Sequence, residues 1–246
     1  MAIQVENKAE RQLPALKINL DALQQNAHIL CELCKRNGLS VAGVLDFFDD
    51  NVLIGKAFRE GGCKHLAVST TAHLKELKTQ FPSQPIMFLH PPMRQDMEEV
   101  VNYADIITQF SPETLFALDQ TSAKYGVCSN VLLALQEDNV SELVECAKIA
   151  KKLPRVKVRG IGILRTGFQD VISTKRAMGA LVEGSEAVES VLGERLEIVS
   201  AGHSLDILLN LENAGLPKCV NHLLIGSSIG NPQWLFSELP QDKVHL

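Results

Sequence analysis

Along the chain, short runs of β-branched and apolar residues alternate with stretches whose apolar positions recur every three to four residues. The first run, Pro14-Ala-Leu-Lys-Ile-Asn19, predicts a strand. A helix follows it, with Asn19 or Asp21 as N-cap and Leu23, Ala27, Leu30 and Cys34 on one face. That helix stops at Arg36-Asn37-Gly38, a basic last turn followed by glycine. The unit then recurs. Residues 41–45 predict a second strand with a helix over 51–60, residues 65–69 a third with a helix over 71–80, and residues 85–89 a fourth with a helix near 95–103. Residues 105–108 form the fifth, and Ser111-Pro112-Glu113 opens its helix with serine as N-cap and proline in the first turn. Residues 130–135, 156–162 and 196–200 are the sixth to eighth strands. A ninth apolar run, 222–225, ends at Gly226-Ser-Ser-Ile-Gly230.

One strand and one helix in every stretch of about 20 to 30 residues means parallel strands joined by crossover helices. Eight or nine such units, with no linker or low-complexity segment between them, fit a closed TIM-like (β/α)8 barrel better than a doubly wound sheet. Residues 14–236 are therefore expected to form a single barrel, flanked by a flexible polar arm over 1–13 and a tail over 237–246. The 246 residues, 46% hydrophobic and 22% charged, suit one ordinary globular domain. A net charge of −5 and the lack of any basic run argue against nucleic acid or an anionic membrane as partner. No apolar stretch reaches the roughly 20 residues that cross a bilayer, and the N-terminus has no signal-peptide core, so a cytoplasmic location is expected. Cys31-x-x-Cys34 lies inside a helical pattern rather than at a strand–helix turn, and no second such pair exists. The cysteines thus read as reduced and mostly structural.

In β/α barrels the chemistry sits at the C-terminal strand ends, and the candidate residues fall there. Asp46 directly follows the second run, with Asp49 and Asp50 behind it as acids suited to a helix start. His90 ends the fourth run, Glu137 follows the sixth, Arg165 lies in the loop after the seventh, and His203 in the turn after the eighth. Carboxylate and imidazole groups around one mouth suit proton transfer, and Arg165 suits a substrate carboxylate. Asp46, His90, Glu137 and His203 are also of metal-ligating type, but their separations match no ligand spacing and no metal is expected. The turns Ser200-Ala-Gly-His-Ser-Leu-Asp206 and Ile225-Gly-Ser-Ser228 offer glycine, hydroxyls and N–H groups at the last two strands, where barrels cradle phosphate. Ser204 with Asp206 reads equally well as a helix cap, and Gly226 as a turn residue. No G-x-S-x-G, Walker loop or H-E-x-x-H occurs.

Four stretches carry a resemblance: Pro14-Ala-Leu-Lys-Ile-Asn-Leu-Asp-Ala-Leu-Gln-Gln-Asn26, Val41-Ala-Gly-Val44, Ile198-Val-Ser-Ala-Gly-His-Ser-Leu-Asp206 and Val220-Asn-His-Leu-Leu-Ile-Gly-Ser-Ser-Ile-Gly230. In this order, over nearly the whole chain, they resemble the alanine racemase N-terminal-domain family of pyridoxal-phosphate (PLP) barrels, in its ornithine racemase-type branch. The resemblance implies a PLP-binding barrel. The family's racemases add a C-terminal β-domain and dimerise; without that domain here, a homodimer or a separately encoded C-terminal domain is the expected partner.

The resemblance also sets Asp46 at the position of the Schiff-base lysine, and Leu224 at that of an arginine facing the pyridine nitrogen. Ser204, Gly226 and Ser227 match the phosphate cradle, and Lys56, two turns into the next helix, is poorly placed to substitute for the lysine. A carboxylate cannot form an aldimine. The resemblance and its departures together imply a pseudoenzyme that has lost racemase chemistry. It would hold no covalent cofactor and bind a small phosphorylated or anionic molecule, with PLP bound only non-covalently. Two alternatives stay open: a PLP-independent enzyme using Asp46 as acid or base, and a PLP-dependent amino-acid racemase or PLP carrier using another lysine.

Overall fold

The computed structural model describes residues 18–48, 51–136, 138–164, 171–202 and 216–230. Among them are eight strands: β1 (Ser40–Val44), β2 (His65–Val68), β3 (Ile86–Phe88), β4 (Ile106–Gln109), β5 (Ser129–Leu135), β6 (Val156–Ile163), β7 (Ile198–Ser200) and β8 (His222–Ile225). Each pairs in parallel with the next, and β8 closes on β1 in the register Ser40↔His222 to Gly43↔Ile225. The helices are α1 (Leu20–Arg36), α2 (Val52–Glu60), α3 (Thr71–Gln80), α4 (Met97–Tyr103), α5 (Pro112–Tyr125), α6 (Val140–Ala150) and α7 (Val171–Leu192), with a single turn α8 (Ser227–Gly230) after β8. This is the TIM-like (β/α)8 barrel that the alternation of patterns implies.

The closure corrects one expectation. Residues 14–17 of the run at 14–19 lie outside the described residues, yet the barrel closes without that run, because β1 pairs directly with β8. Asn19 is a helix cap: its side chain accepts the Ala22 N–H at 3.1 Å, and Ile18 before it is exposed. The apolar stripe of α1 decides its place. Leu23, Ala27, Leu30 and Cys34 are all buried, as their spacing predicts, and α1 packs against α2, β1 and α8. Asn26 on the same helix donates to the Ile229 carbonyl at 3.0 Å. Helix α1 thus fills the shell between β8 and β1.

Side chains alternate along each strand between two cores. Val41, Leu66, Ile86, Ile107, Leu133 and Leu223 point outward to the helices. Ala42, Ala67, Met87, Leu89, Ile106, Leu132, Ile198 and Leu224 fill the lumen. The shell is the larger of the two, and each fully buried aliphatic side chain in it contributes about 1.5–3 kcal/mol. At α5, Ser111 accepts the Thr114 N–H and Pro112 takes the first position, as the sequence predicts. Among the described residues no helix is long and apolar enough to cross a membrane.

Candidate functional site at the barrel rim

Because the strands are parallel, all their C-terminal ends reach one rim. β1 runs through Leu45, whose N–H donates to the Ala67 carbonyl at 3.0 Å, into a 3-10 turn over Asp46–Phe48. That last ladder bond carries the β1–β2 register one step past β1 and holds Asp46 beside the end of β2. Ser69, two residues on from the lumen residue Ala67, donates its hydroxyl to Asp46 Oδ2 at 2.5 Å. Asp46 is exposed, and among the described residues no lysine or arginine forms an ion pair with it. Lys56 is itself exposed and stands 3.9 Å from Glu60 on its own helix.

His90 follows β3 on the same rim, exposed, and makes no hydrogen bond with Asp46. Glu137, Arg165, His203 and Ser204 lie outside the described residues, as do Asp49, Asp50 and Asp206. Of the sequence candidates the structure therefore places Asp46, His90, Gly226 and Ser227. The partner it gives Asp46 is Ser69, which the sequence did not single out. Among the described residues no group of three or more His, Cys, Asp or Glu side chains is arranged to hold a metal ion.

The end of β8 meets the end of β1. Gly226 is buried, and a Cβ on it would sit 2.8 Å from the Val44 carbonyl oxygen and 3.1 Å from Val44 Cβ. Only glycine allows that approach. Ser227 is exposed next to it, whereas the Ser228 hydroxyl is buried with no hydrogen-bond partner. The turn after β7 is tied in by Gly202, which takes the left-handed conformation (φ +83°) and accepts the Leu224 N–H at 3.0 Å. Asp46 and the Gly226–Ser228 turn thus end neighbouring strands, which in a sheet lie about 5 Å apart. The lumen below is lined by Val44, Ala67, Met87, Leu89 and Leu224, none of which can donate a hydrogen bond from its side chain.

This donor set can be tested against PLP. Schiff-base attachment needs an amine, and none of the described residues directly following a strand end is lysine. The pyridine nitrogen needs a polar partner, and Leu224, 1% exposed in the lumen wall, cannot be one. A covalently held PLP does not fit these residues. At the β8 end the chain offers the close backbone approach at Gly226 and the unpartnered Ser228 hydroxyl.

A second polar group lies deeper, and sequence reasoning assigned it no role. His65 and His222 open β2 and β8, on either side of β1, where the lumen residue is the small Ala42. Their rings meet at 3.3 Å between His222 Nε2 and His65 Nδ1, and His222 Nδ1 lies 3.0 Å from Ser200 Oγ. Burial pushes His65 down to about 4, with the Lys64 charge adding to it and Asp105 opposing. Burial likewise pushes His222 down to about 3, helped by His65 and Lys64. Both imidazoles are neutral at neutral pH. Their signal was parity: 65 and 222 share the lumen face of 67 and 224. Thr108, on the lumen face of Ile106, is a further buried hydroxyl without a partner.

Comparison with known proteins gives this geometry a family. The alanine racemase N-terminal domain matches over residues 18–229. A lysine racemase of Thermotoga maritima is 26% identical over 219 residues, and an ornithine racemase of Acetoanaerobium sticklandii 27% identical over 223 residues. Each alignment takes in 88% of this chain, and the chain spans 62% of the length of these curated relatives. Among solved structures, D-threonine aldolase from Filomicrobium marinum superposes with a TM-score of 0.76 at 14% identity, over 88% of this chain and 62% of that one. PipY of Synechococcus elongatus, solved with PLP bound, gives a TM-score of 0.67 at 16% identity. There, 83% of this chain covers 99% of that protein.

Proposed function

Given that the chain belongs to the alanine racemase N-terminal-domain family, we propose that it is a member without racemase chemistry, a barrel that binds a small phosphorylated or otherwise anionic molecule at its rim and forms no Schiff base with it. The observation that carries this reading is Asp46, an acceptor bonded by Ser69 at the end of β1, where the family resemblance expects the PLP lysine. A carboxylate cannot condense with an aldehyde, so the step that would make PLP an electron sink for the substrate's α-carbon has no starting point at that residue. Leu224 supports the same reading: a buried isobutyl group offers the ring nitrogen neither charge nor hydrogen bond. Gly226 and Ser227, by contrast, keep the small and hydroxyl residues that an anion needs, with the unpartnered Ser228 hydroxyl beside them.

The test is the absorbance spectrum of the purified chain with and without PLP, followed by borohydride trapping and peptide mapping. The expected result is no imine band that maps to a residue of the rim. Assays of alanine, ornithine, lysine, arginine and serine racemisation with added PLP should show no turnover. One lysine labelled stoichiometrically, together with racemisation of any of these amino acids, overturns the proposal.

A further inference from the structure

We infer that the rim is selective for a primary amine: the ligand brings an ammonium group that seats on Asp46, so the site takes a phosphorylated amine in preference to the corresponding aldehyde or alcohol. This rests on the reading of the β8 end as the anion-binding side and adds the identity of the group at the other end. Three observations lead to it.

The first is the sign of the charge. Asp46 has acceptor oxygens only, and the donor it receives among the described residues is a neutral hydroxyl, from Ser69 to Oδ2. No described side chain bonds Oδ1, and no described lysine or arginine neutralises the carboxylate. An aldehyde oxygen placed there meets a like-signed partner, an alcohol donates with only the acceptor charged, and an ammonium donates with both partners charged.

The second is what surrounds the carboxylate. Asp46 follows Val44 by two residues, on the lumen side of β1, and the lumen beneath the rim is filled by apolar side chains including Val44, Ala67, Met87, Leu89 and Leu224. A ligand lying over that apolar floor excludes water from one side of Asp46, where an opposite charge is then attracted more strongly than in bulk solvent. These apolar side chains offer a flat or ring-shaped molecule contact area, with Thr108 a buried hydroxyl on the same lumen face.

The third is position. Gly43 pairs with Ile225, and Gly226 closes on Val44, so Asp46 and Ser227 stand at the ends of adjacent strands. A molecule with an anion at one end and an amine at the other spans the two without any backbone movement. In the arrangement that the family resemblance implies, the protein supplies the amine and the ligand the carbonyl. Here the protein supplies the carboxylate, and complementarity returns when the amine belongs to the ligand.

The experiment uses the full chain and three probes in calorimetric titrations: pyridoxamine 5′-phosphate, pyridoxine 5′-phosphate and inorganic phosphate. The two vitamers differ only by an aminomethyl or a hydroxymethyl group, so their ratio reads the amine alone. Pyridoxamine 5′-phosphate is expected to bind about tenfold more tightly than pyridoxine 5′-phosphate, the order of advantage of an ammonium over a hydroxyl as donor to the same carboxylate. In Asp46→Asn the two should bind alike, with the larger loss relative to wild type falling on pyridoxamine 5′-phosphate. Equal binding of the two vitamers to the wild-type chain, both displaced by phosphate, overturns the amine assignment and leaves the anion site standing. A preference for the amine that survives in Asp46→Asn also overturns it, since the ammonium then sits elsewhere. If none of the three probes binds, both this inference and the anion-binding reading fall.

Discussion

The two ends of the barrel lumen treat polar groups in opposite ways. Below the rim, where β2 and β8 begin, His65 and His222 are buried, bonded to each other and held uncharged, and Ser200 at the end of β7 bonds His222. At the rim Asp46 is exposed, receives one hydroxyl and has no described cation. The buried cluster bonds Ser200 Oγ, both His222 nitrogens and His65 Nδ1 in one chain, and its value lies in folding. At the rim, Asp46 Oδ1 has no partner among the described side chains. A carboxylate in water is cheap to leave open, whereas an unpaired imidazole under the barrel is not. The division follows the usual one of β/α barrels, in which one face carries stability and the other the site.

The contrast is most open to attack at His222. Replacing it with alanine removes a fully buried ring, leaves a cavity, and strips a partner from both Ser200 and His65. The expected loss is about 3–5 kcal/mol in urea unfolding, and a loss below about 1 kcal/mol would show the lower cluster to be dispensable. The pH dependence probes the same cluster without mutation. Both imidazoles titrate below their ordinary 6.5 in the fold, at about 4 and about 3. Between 6.5 and those values the unfolded chain takes up protons that the folded one refuses, so stability falls as pH drops. Each histidine is expected to remove on the order of 1 kcal/mol per pH unit over that interval, and His222→Ala should flatten the profile.

A smaller effect, about 1–3 kcal/mol, is expected from Gly226→Ala, whose Cβ would press on the Val44 carbonyl. Thermal unfolding measures it. A neutral result would mean that β8 can draw back from β1 at the rim and that the turn is not held as tightly as its packing implies.

The fold was legible because its signal is redundant. Eight of the nine apolar runs became the strands of the closed barrel, and the run at 14–19, of which residues 14–17 lie outside the described residues, is not needed to close it. An apolar run leading into a helix looks the same in sequence whether or not it belongs to the barrel, and here the run ends in Asn19, the cap of α1. The site was legible in part. Asp46 could be found because it directly follows a strand, and Gly226 because glycine at a strand end announces close approach. Ser69 could not be found as its partner, since which neighbouring strand end a side chain leans toward depends on register, and register becomes visible only when the barrel closes. His65 and His222 are 157 residues apart. Their meeting follows from β1 lying between β2 and β8 with a small residue on its inner face, and no local pattern encodes that.

The smallest expected effect is the most informative. Asp46→Asn keeps an oxygen to accept the Ser69 hydroxyl and removes only the charge of an exposed group, so its unfolding free energy should stay within about 0.5 kcal/mol of wild type. Circular dichroism during urea titration measures this, in parallel with His222→Ala. If the two variants lose comparable stability, Asp46 is a structural residue of the β1–β2 junction and the contrast between rim and lower lumen collapses. If Asp46→Asn is neutral, the fold places no demand on a negative charge at that position, and the carboxylate is left free to serve a ligand. Stability and charge then separate along the lumen, with the residues that hold the barrel at one end and the residue that decides what it holds at the other.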